Sequence, residues 1–292
     1  MDDAPLACHG LHKRYGDHVA LRGVDLRVER GEILGFLGPN GSGKTTAMRI
    51  ALGLLRADAG TVRVLGRDPW TDHEHRLRLG YLPSSPRYYE RMRGRRLLEH
   101  LEAIGGAPAT LRDELCERLG LSTADLARPV YAYSRGMRQK LAIVQALQHD
   151  PELCLLDEPS EGLDPLVQEA FFAILRDRRE AGRTIVFSSH VLSEVEVLCD
   201  RVALIRAGEI VDTRTLAELR EGRPRVVRVR SSELLTLPDC EPLASADGWQ
   251  RFAARGNITT LLAALAAAPV EDVAIEEPSL EDIFLGYYRD AE

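Results

Sequence analysis

Apolar residues in this chain fall into two spacings, short uninterrupted runs and helical repeats, and these alternate along most of its length. Residues 24–28, 32–37 and 61–65 read as β stretches separated by glycine turns, and a helix is predicted over 46–55. From about 86 to 149 the pattern turns helical and arginine-rich, with apolar positions at Leu97, Leu98, Leu101 and Ile104 and again at Leu111, Leu115 and Leu119. The alternation then resumes: strand 153–156, helix 166–179, strand 184–188, helix 192–199. Short apolar strands alternating with helices predict a parallel sheet covered on both faces, with the helical stretch inserted into it. Beyond about 219 the texture changes. Residues 225–230 alternate like a half-buried strand, 259–267 reads as a helix and 270–275 as a strand. Ser279 and Asp282 form a capping-box pattern that predicts a last helix through Leu280, Ile283, Phe284 and Tyr287. The expected organisation is therefore an α/β domain over 1–221 and a small α/β module over 222–292.

Composition narrows this little. At 292 residues, 45% hydrophobic and 28% charged, the chain is neither disordered, collagen-like nor a disulfide scaffold. A net charge of −7 argues against a dedicated nucleic-acid binder. Lys13, Lys44 and Lys140 are the lysines among 38 basic residues, so arginine identity alone marks nothing as functional. The five cysteines are scattered, which predicts free thiols in a reducing compartment and no zinc site. The acidic N-terminus lacks the apolar core of a secretory signal. No apolar run reaches the ~18 residues that span a bilayer; the longest, around 261–270, is alanine-rich and interrupted by Pro269.

Chemistry concentrates in two places. Gly38-Pro39-Asn40-Gly41-Ser42-Gly43-Lys44-Thr45 matches G-x-x-x-x-G-K-[ST] directly after an apolar strand and before a helical pattern that opens with Thr46. Glycines let the backbone wrap so that N–H groups converge on phosphate oxygens, and the helix adds the positive end of its dipole. Lys44 is placed to reach the β- and γ-phosphates and the Thr45 hydroxyl to ligate Mg²⁺. The second place is the end of the apolar run 153–156, which delivers Asp157 and Glu158. Asp157 suits the Mg²⁺ shell through water, and Glu158 can face an attacking water as general base. Two acids after a strand are commonly only a solvated turn; beside a phosphate loop the balance reverses.

With these motifs in this order, residues from about 5 to 220 resemble the nucleotide-binding subunit of ABC transporters. The resemblance implies a P-loop NTPase core of ABC type with an inserted helical subdomain, ATP and Mg²⁺ as ligands, and a set of further site residues. Tyr15 resembles the aromatic that stacks on adenine. Ser134-Arg135-Gly136-Met137-Arg138-Gln139 stands where the family's signature lies, with Ser134 and Gly136 expected to meet the nucleotide of an opposite subunit. Ser160 to Pro165 looks like the D-loop, with Ser160 and Asp164 at the dimer contact, and His190 like the switch histidine at the γ-phosphate. Two departures stand out. Ser84, or Ser85, occupies the usual glutamine position, too short to ligate metal directly. Arg135 and Met137 replace a signature glycine and glutamine; Arg135 is expected either near the γ-phosphate or in solvent.

The resemblance further implies a second copy or a homologous ATPase subunit and a separate multi-span membrane subunit docking near Ser84 to Arg96. There Arg87, Arg91, Arg93, Arg95 and Arg96 interleave with Tyr88 and Tyr89; a solvated helix face is the plainer reading. The last residues resemble the tail domain of ABC-2-type exporter ATPases of drug and antibiotic resistance. The expected function is thus ATP hydrolysis driving export, at the inner face of the cell membrane and without a specific nucleic acid. The alternative is a soluble ABC-type ATPase acting on ribosomes or DNA, disfavoured by the single cassette and the lack of a heptad insert or cysteine pair.

Overall fold

A computed structural model of the chain describes residues 4–220, 224–246 and 248–277. The helix expected through Leu280 and Tyr287 lies outside the described residues. The chain divides into two compact units, residues 1–214 and 215–292. The expected boundary at 221/222 comes seven residues after this division, the short helix Leu216–Arg220 falling in the second unit.

In the first unit, β1 (Leu6–Tyr15) pairs antiparallel with β2 (His18–Val28). Next come β3 (Ile33–Leu37), α1 (Lys44–Ala51) and β4 (Ala59–Val64), the last antiparallel to β1. The sheet β2-β1-β4 departs from the all-parallel expectation. In β2 buried and exposed positions largely alternate, which is how an antiparallel sheet with one wet face reads, whereas all five residues of β3 are buried. The expected strand 24–28 is the second half of β2. The predicted helix 46–55 spans Lys44–Ala51 instead. It stops because Gly53 takes a left-handed φ of 64°, where a Cβ would lie 2.2 Å from the Pro69 carbonyl.

After β5 (Leu79–Leu82) come α2 (Gly94–Gly105), α3 (Arg112–Arg118), α4 (Thr123–Leu126) and α5 (Arg135–Leu147). They are followed by β6 (Leu153–Asp157), α6 (Pro165–Glu180), β7 (Thr184–Ser189), α7 (Leu192–Leu198), β8 (Arg201–Arg206) and β9 (Glu209–Thr215). The central sheet has the order β5-β6-β7-β3-β8-β9, with β5-β6, β6-β7, β7-β3 and β3-β8 all parallel. Helix α1 contacts β1, β2, β4 and β6, so it fills the layer between the two sheets. Its Met48 and Ile50 are buried with Leu11, Phe36 and Leu155; each such side chain contributes roughly 1.5–3 kcal/mol by leaving water. In the helical insertion Leu97, Leu98, Leu115 and Leu119 are buried as their spacing predicts, but Ile104 is exposed at the last turn of α2. Helix α5 touches α2, α3 and β5, tying the insertion to the sheet.

The second unit holds α8 (Leu216–Arg220), β10 (Arg225–Ser231), β11 (Cys240–Ala246), β12 (Trp249–Ala254), α9 (Ile258–Ala267) and β13 (Val270–Glu276). Its sheet has the order β11-β12-β10-β13, antiparallel throughout, and Val227, Val229, Phe252, Leu261 and Leu265 form its core. Strands β11 and β12 carry no clear apolar alternation and were not anticipated. The cysteines are free; burial raises the Cys8 and Cys154 thiols to about 12.

Candidate functional site

The glycine loop sits where buried β3 meets α1, and its shape depends on missing side chains. A Cβ on Gly38 would lie 2.2 Å from the Ile205 carbonyl oxygen, and Gly43, at φ 113°, has the Ala20 carbonyl 2.7 Å from where its Cβ would be. Only glycine lets the chain pass this close to β2 and β8. No acidic residue stands in the first turn of α1, which leaves the positive end of the helix open to an anion. Lys44, 6% exposed, donates to the Gly38 carbonyl (2.6 Å) and the Pro39 carbonyl (3.3 Å). Its Nζ also lies 3.4 Å from Glu158 Oε1. The ammonium is thus held by the loop itself.

Three parallel strands deliver the partners. Asp157, at the end of β6 and 1% exposed, accepts from Thr45 Oγ1 (2.7 Å) on one oxygen and from Ser188 Oγ (2.8 Å) on the other. The same Ser188 oxygen accepts from the Glu158 N–H (3.0 Å). Glu158 has a left-handed φ of 51°, uncommon for a non-glycine residue. His190 Nδ1 lies 2.8 Å from Glu158 Oε2. Glu158 Oε1 and Ser42 Oγ are buried without a hydrogen-bond partner among the described residues, so the site carries unsatisfied polar atoms that a ligand or water can use.

All of these groups but the fully buried Ser188 line a cavity of about 460 Å³. Tyr15 and His18 form part of its wall, Pro39 to Thr46 contribute the loop and helix start, and Ser84, Ser85, Asp157, Glu158, Glu161 and His190 complete it. Of the expected phosphate-loop residues, Gly38 does not face the cavity; it acts through its carbonyl on Lys44. Tyr15 is 46% exposed, with the Lys13 ammonium 5.8 Å from its ring centroid. Ser84 and Ser85 both reach the cavity wall.

Ser134 and Gly136 do not line this cavity. Ser134 is exposed and caps α5, accepting from the Met137 N–H at 3.2 Å. Arg135 is largely solvent-exposed, as one of the two expectations had it, and its guanidinium pairs with Glu161 at the cavity wall. Asp164 caps α6 by accepting from the Val167 N–H (3.0 Å), and the Ser160 carbonyl accepts from the Leu163 N–H (3.1 Å). Arg87, Arg91, Arg93, Arg95 and Arg96 are exposed; Tyr88 is half-buried and Tyr89 is exposed. Ser188 and His18 were not among the expected site residues, and Glu161, expected within the D-loop, instead lines the chain's own cavity. Ser188 was discoverable in principle: it follows an apolar run two residues before His190, and polar residues at the carboxyl ends of neighbouring parallel strands converge.

A buried strand, a glycine loop, a helix N-terminus and paired acids at the end of β6, one strand removed from β3 across β7, define a P-loop nucleotide-binding fold. Residues 21–161 match the family model described as ABC transporter. The daunorubicin resistance ATP-binding protein DrrA3 of Streptomyces coeruleorubidus is 36% identical over 306 residues, covering 98% of this chain and 96% of that protein. An uncharacterized ABC transporter ATP-binding protein of Nostoc sp. (strain PCC 7120) is 43% identical over 206 residues, 69% of this chain and 61% of its own length. A solved ATP-binding subunit of an ABC transporter superposes with a TM-score of 0.68 at 28% identity, covering 74% of this chain and 91% of that one. The chain belongs to the family of ABC transporter ATP-binding proteins. The reading as a ribosome- or DNA-acting ATPase finds no support among these relatives. No helix among the described residues is long and apolar enough to cross a membrane.

Proposed function

We propose that this chain is the ATP-hydrolysing subunit of an ABC exporter, closing as a pair around ATP and driving transport through a separate membrane subunit. The observation that carries the reading is the convergence of Lys44 and His190 on Glu158, and of Thr45 on Asp157, in one cavity, with buried Ser188 holding Asp157 in place. The long match to a daunorubicin resistance ATP-binding protein supports the exporter branch.

In this proposal Tyr15 stacks on the adenine, and the backbone N–H groups around Gly41 to Thr46 receive the β-phosphate. Lys44 exchanges the Gly38 and Pro39 carbonyls for β- and γ-phosphate oxygens. A hydroxyl and a carboxylate side by side, Thr45 and Asp157, are hard oxygen donors that fit Mg²⁺, which takes few protein ligands beside phosphates and water. When bound, the ion supplies neutralisation of charge on the phosphates. Ser84 and Ser85 are too short to span to a metal and serve through water. Glu158, its second oxygen held by His190, accepts a proton from the attacking water. The water oxygen bonds to the γ-phosphorus, the bond to the β–γ bridging oxygen breaks, and ADP and phosphate leave.

One chain offers one phosphate loop and one signature, and Ser134 with Gly136 stands outside the chain's own cavity. Those residues therefore serve the nucleotide of a second copy or a homologous subunit, with Ser160 and Asp164 at the contact between them. The membrane subunit docks near Ser84 to Arg96, which places the chain peripherally on the inner face of the membrane. The test is ATPase activity of the purified chain as a function of protein concentration, with Ser134→Ala beside it. The expected rate per chain rises with concentration and is lost in the variant. Full activity as a single copy, indifferent to Ser134, would refute the paired mechanism. Co-purification with ribosomes or DNA and never with a multi-span protein would refute the exporter.

A further inference from the structure

The start of α5 is strapped to the loop that follows Glu158 at three points. Arg135 pairs with Glu161. Gln139 Nε2, buried, donates to the Pro159 carbonyl at 2.7 Å. The Arg135 stem lies over Gly162, where a Cβ would sit 3.2–3.3 Å from its Nε, Cδ and Cγ. Glu161 in turn lines the 460 Å³ cavity together with Lys44, Glu158 and His190. The other two cavity carboxylates each face a donor or a cation: Asp157 accepts from two hydroxyls, and Glu158 has His190 at one oxygen and the Lys44 ammonium as an ion pair 3.4 Å from the other. Glu161 has Arg135.

We propose that Arg135 is a positioning residue for nucleotide binding in its own chain's cavity, holding Glu161 back and cancelling its charge where a polyanion must enter. The inference rests on the ATP reading above. It assigns to a signature-motif residue a task at the cavity of the same chain, distinct from that of Ser134 at a second copy. The side chains are 72% and 50% exposed, so the pair adds little to folding stability. Its effect is on the field at the mouth: without the guanidinium, a full negative charge faces the incoming phosphates.

The test measures KM and kcat for ATP hydrolysis, and the Kd of a fluorescent ATP analogue with Mg²⁺, in Arg135→Ala, Glu161→Gln and the double variant. Arg135→Ala is expected to raise KM and Kd about three- to fivefold with a smaller change in kcat, the scale of an exposed charge pair. The defect shrinks as salt rises from ~0.05 to ~0.5 M, because exposed charges are screened. Adding Glu161→Gln restores KM to near the unsubstituted value, since the uncancelled charge is gone, and Arg135→Lys retains most of it. An Arg135→Ala chain with unchanged KM and Kd would overturn the proposal. So would a defect that Glu161→Gln fails to relieve, which would mean the guanidinium acts on something other than Glu161. An unsubstituted chain that neither binds nor hydrolyses ATP would instead overturn the reading beneath it.

Discussion

Ser188→Ala tests the assembly of the site most directly, because one hydroxyl joins both acids. Ser188 Oγ donates to Asp157 Oδ1 at 2.8 Å and accepts from the Glu158 N–H at 3.0 Å. Removing it leaves a carboxylate that is 1% exposed with only Thr45 as donor, and strands a backbone N–H. A hydrogen bond to a charged group is worth about 1.5–3 kcal/mol and an orphaned donor costs about 1–3 kcal/mol, so a loss of ~2–4 kcal/mol is expected once water enters the gap. For a unit of this size that corresponds to a fall in Tm of roughly 5–12 °C. Glu158, released at its backbone while held in a left-handed conformation, loses its aim as well, and kcat falls. Calorimetry in the absence of nucleotide and steady-state ATPase rates read the two effects. Ser188→Thr keeps the hydroxyl on the same carbon and recovers most of both. If Ser188→Ala unfolds within 0.5 kcal/mol of the unsubstituted chain and turns over normally, the hydroxyl is not what organises the two acids.

Lys44→Ala abolishes ATP binding, measured by fluorescence of a bound analogue; retained affinity would mean the loop is not the phosphate cradle. Glu158→Gln keeps binding but lowers turnover by about 10²-fold or more and accumulates an ATP-dependent dimer visible by sedimentation, whereas normal hydrolysis would remove its role as base. Ser84→Gln extends a donor and acceptor across the cavity wall and is expected to lower the Mg²⁺ concentration needed for half-maximal ATPase. No change in that concentration would show that the position does not matter here.

What could be read from residue order alone is what neighbouring residues make together. The phosphate loop is eight consecutive residues between an apolar run and a helical spacing, so its chemistry and its place in a fold were legible without coordinates. The same holds for Asp157 and Glu158 at the end of four buried residues. The uninterrupted runs in β3, β6 and β7 predicted strands covered on both faces, and they are.

Contacts between distant parts of the chain were a matter for the folded structure. Ser188 is 31 residues from Asp157, and Arg135 is 26 from Glu161. Their meeting follows from β7 lying beside β6 and from α5 starting against the loop after β6, and sheet order leaves no local trace in a sequence. Nor does one residue's hydropathy reveal the partner it will find: Arg135 looked equally suited to a phosphate or to solvent, and packing over Gly162 gave it to Glu161. The antiparallel strands β1, β2 and β4 escaped full prediction because their outer faces are wet, so half of each strand reads like a loop. A chain carries its local chemistry in its order; which acids face one cavity is decided when strands far apart in that order lie side by side.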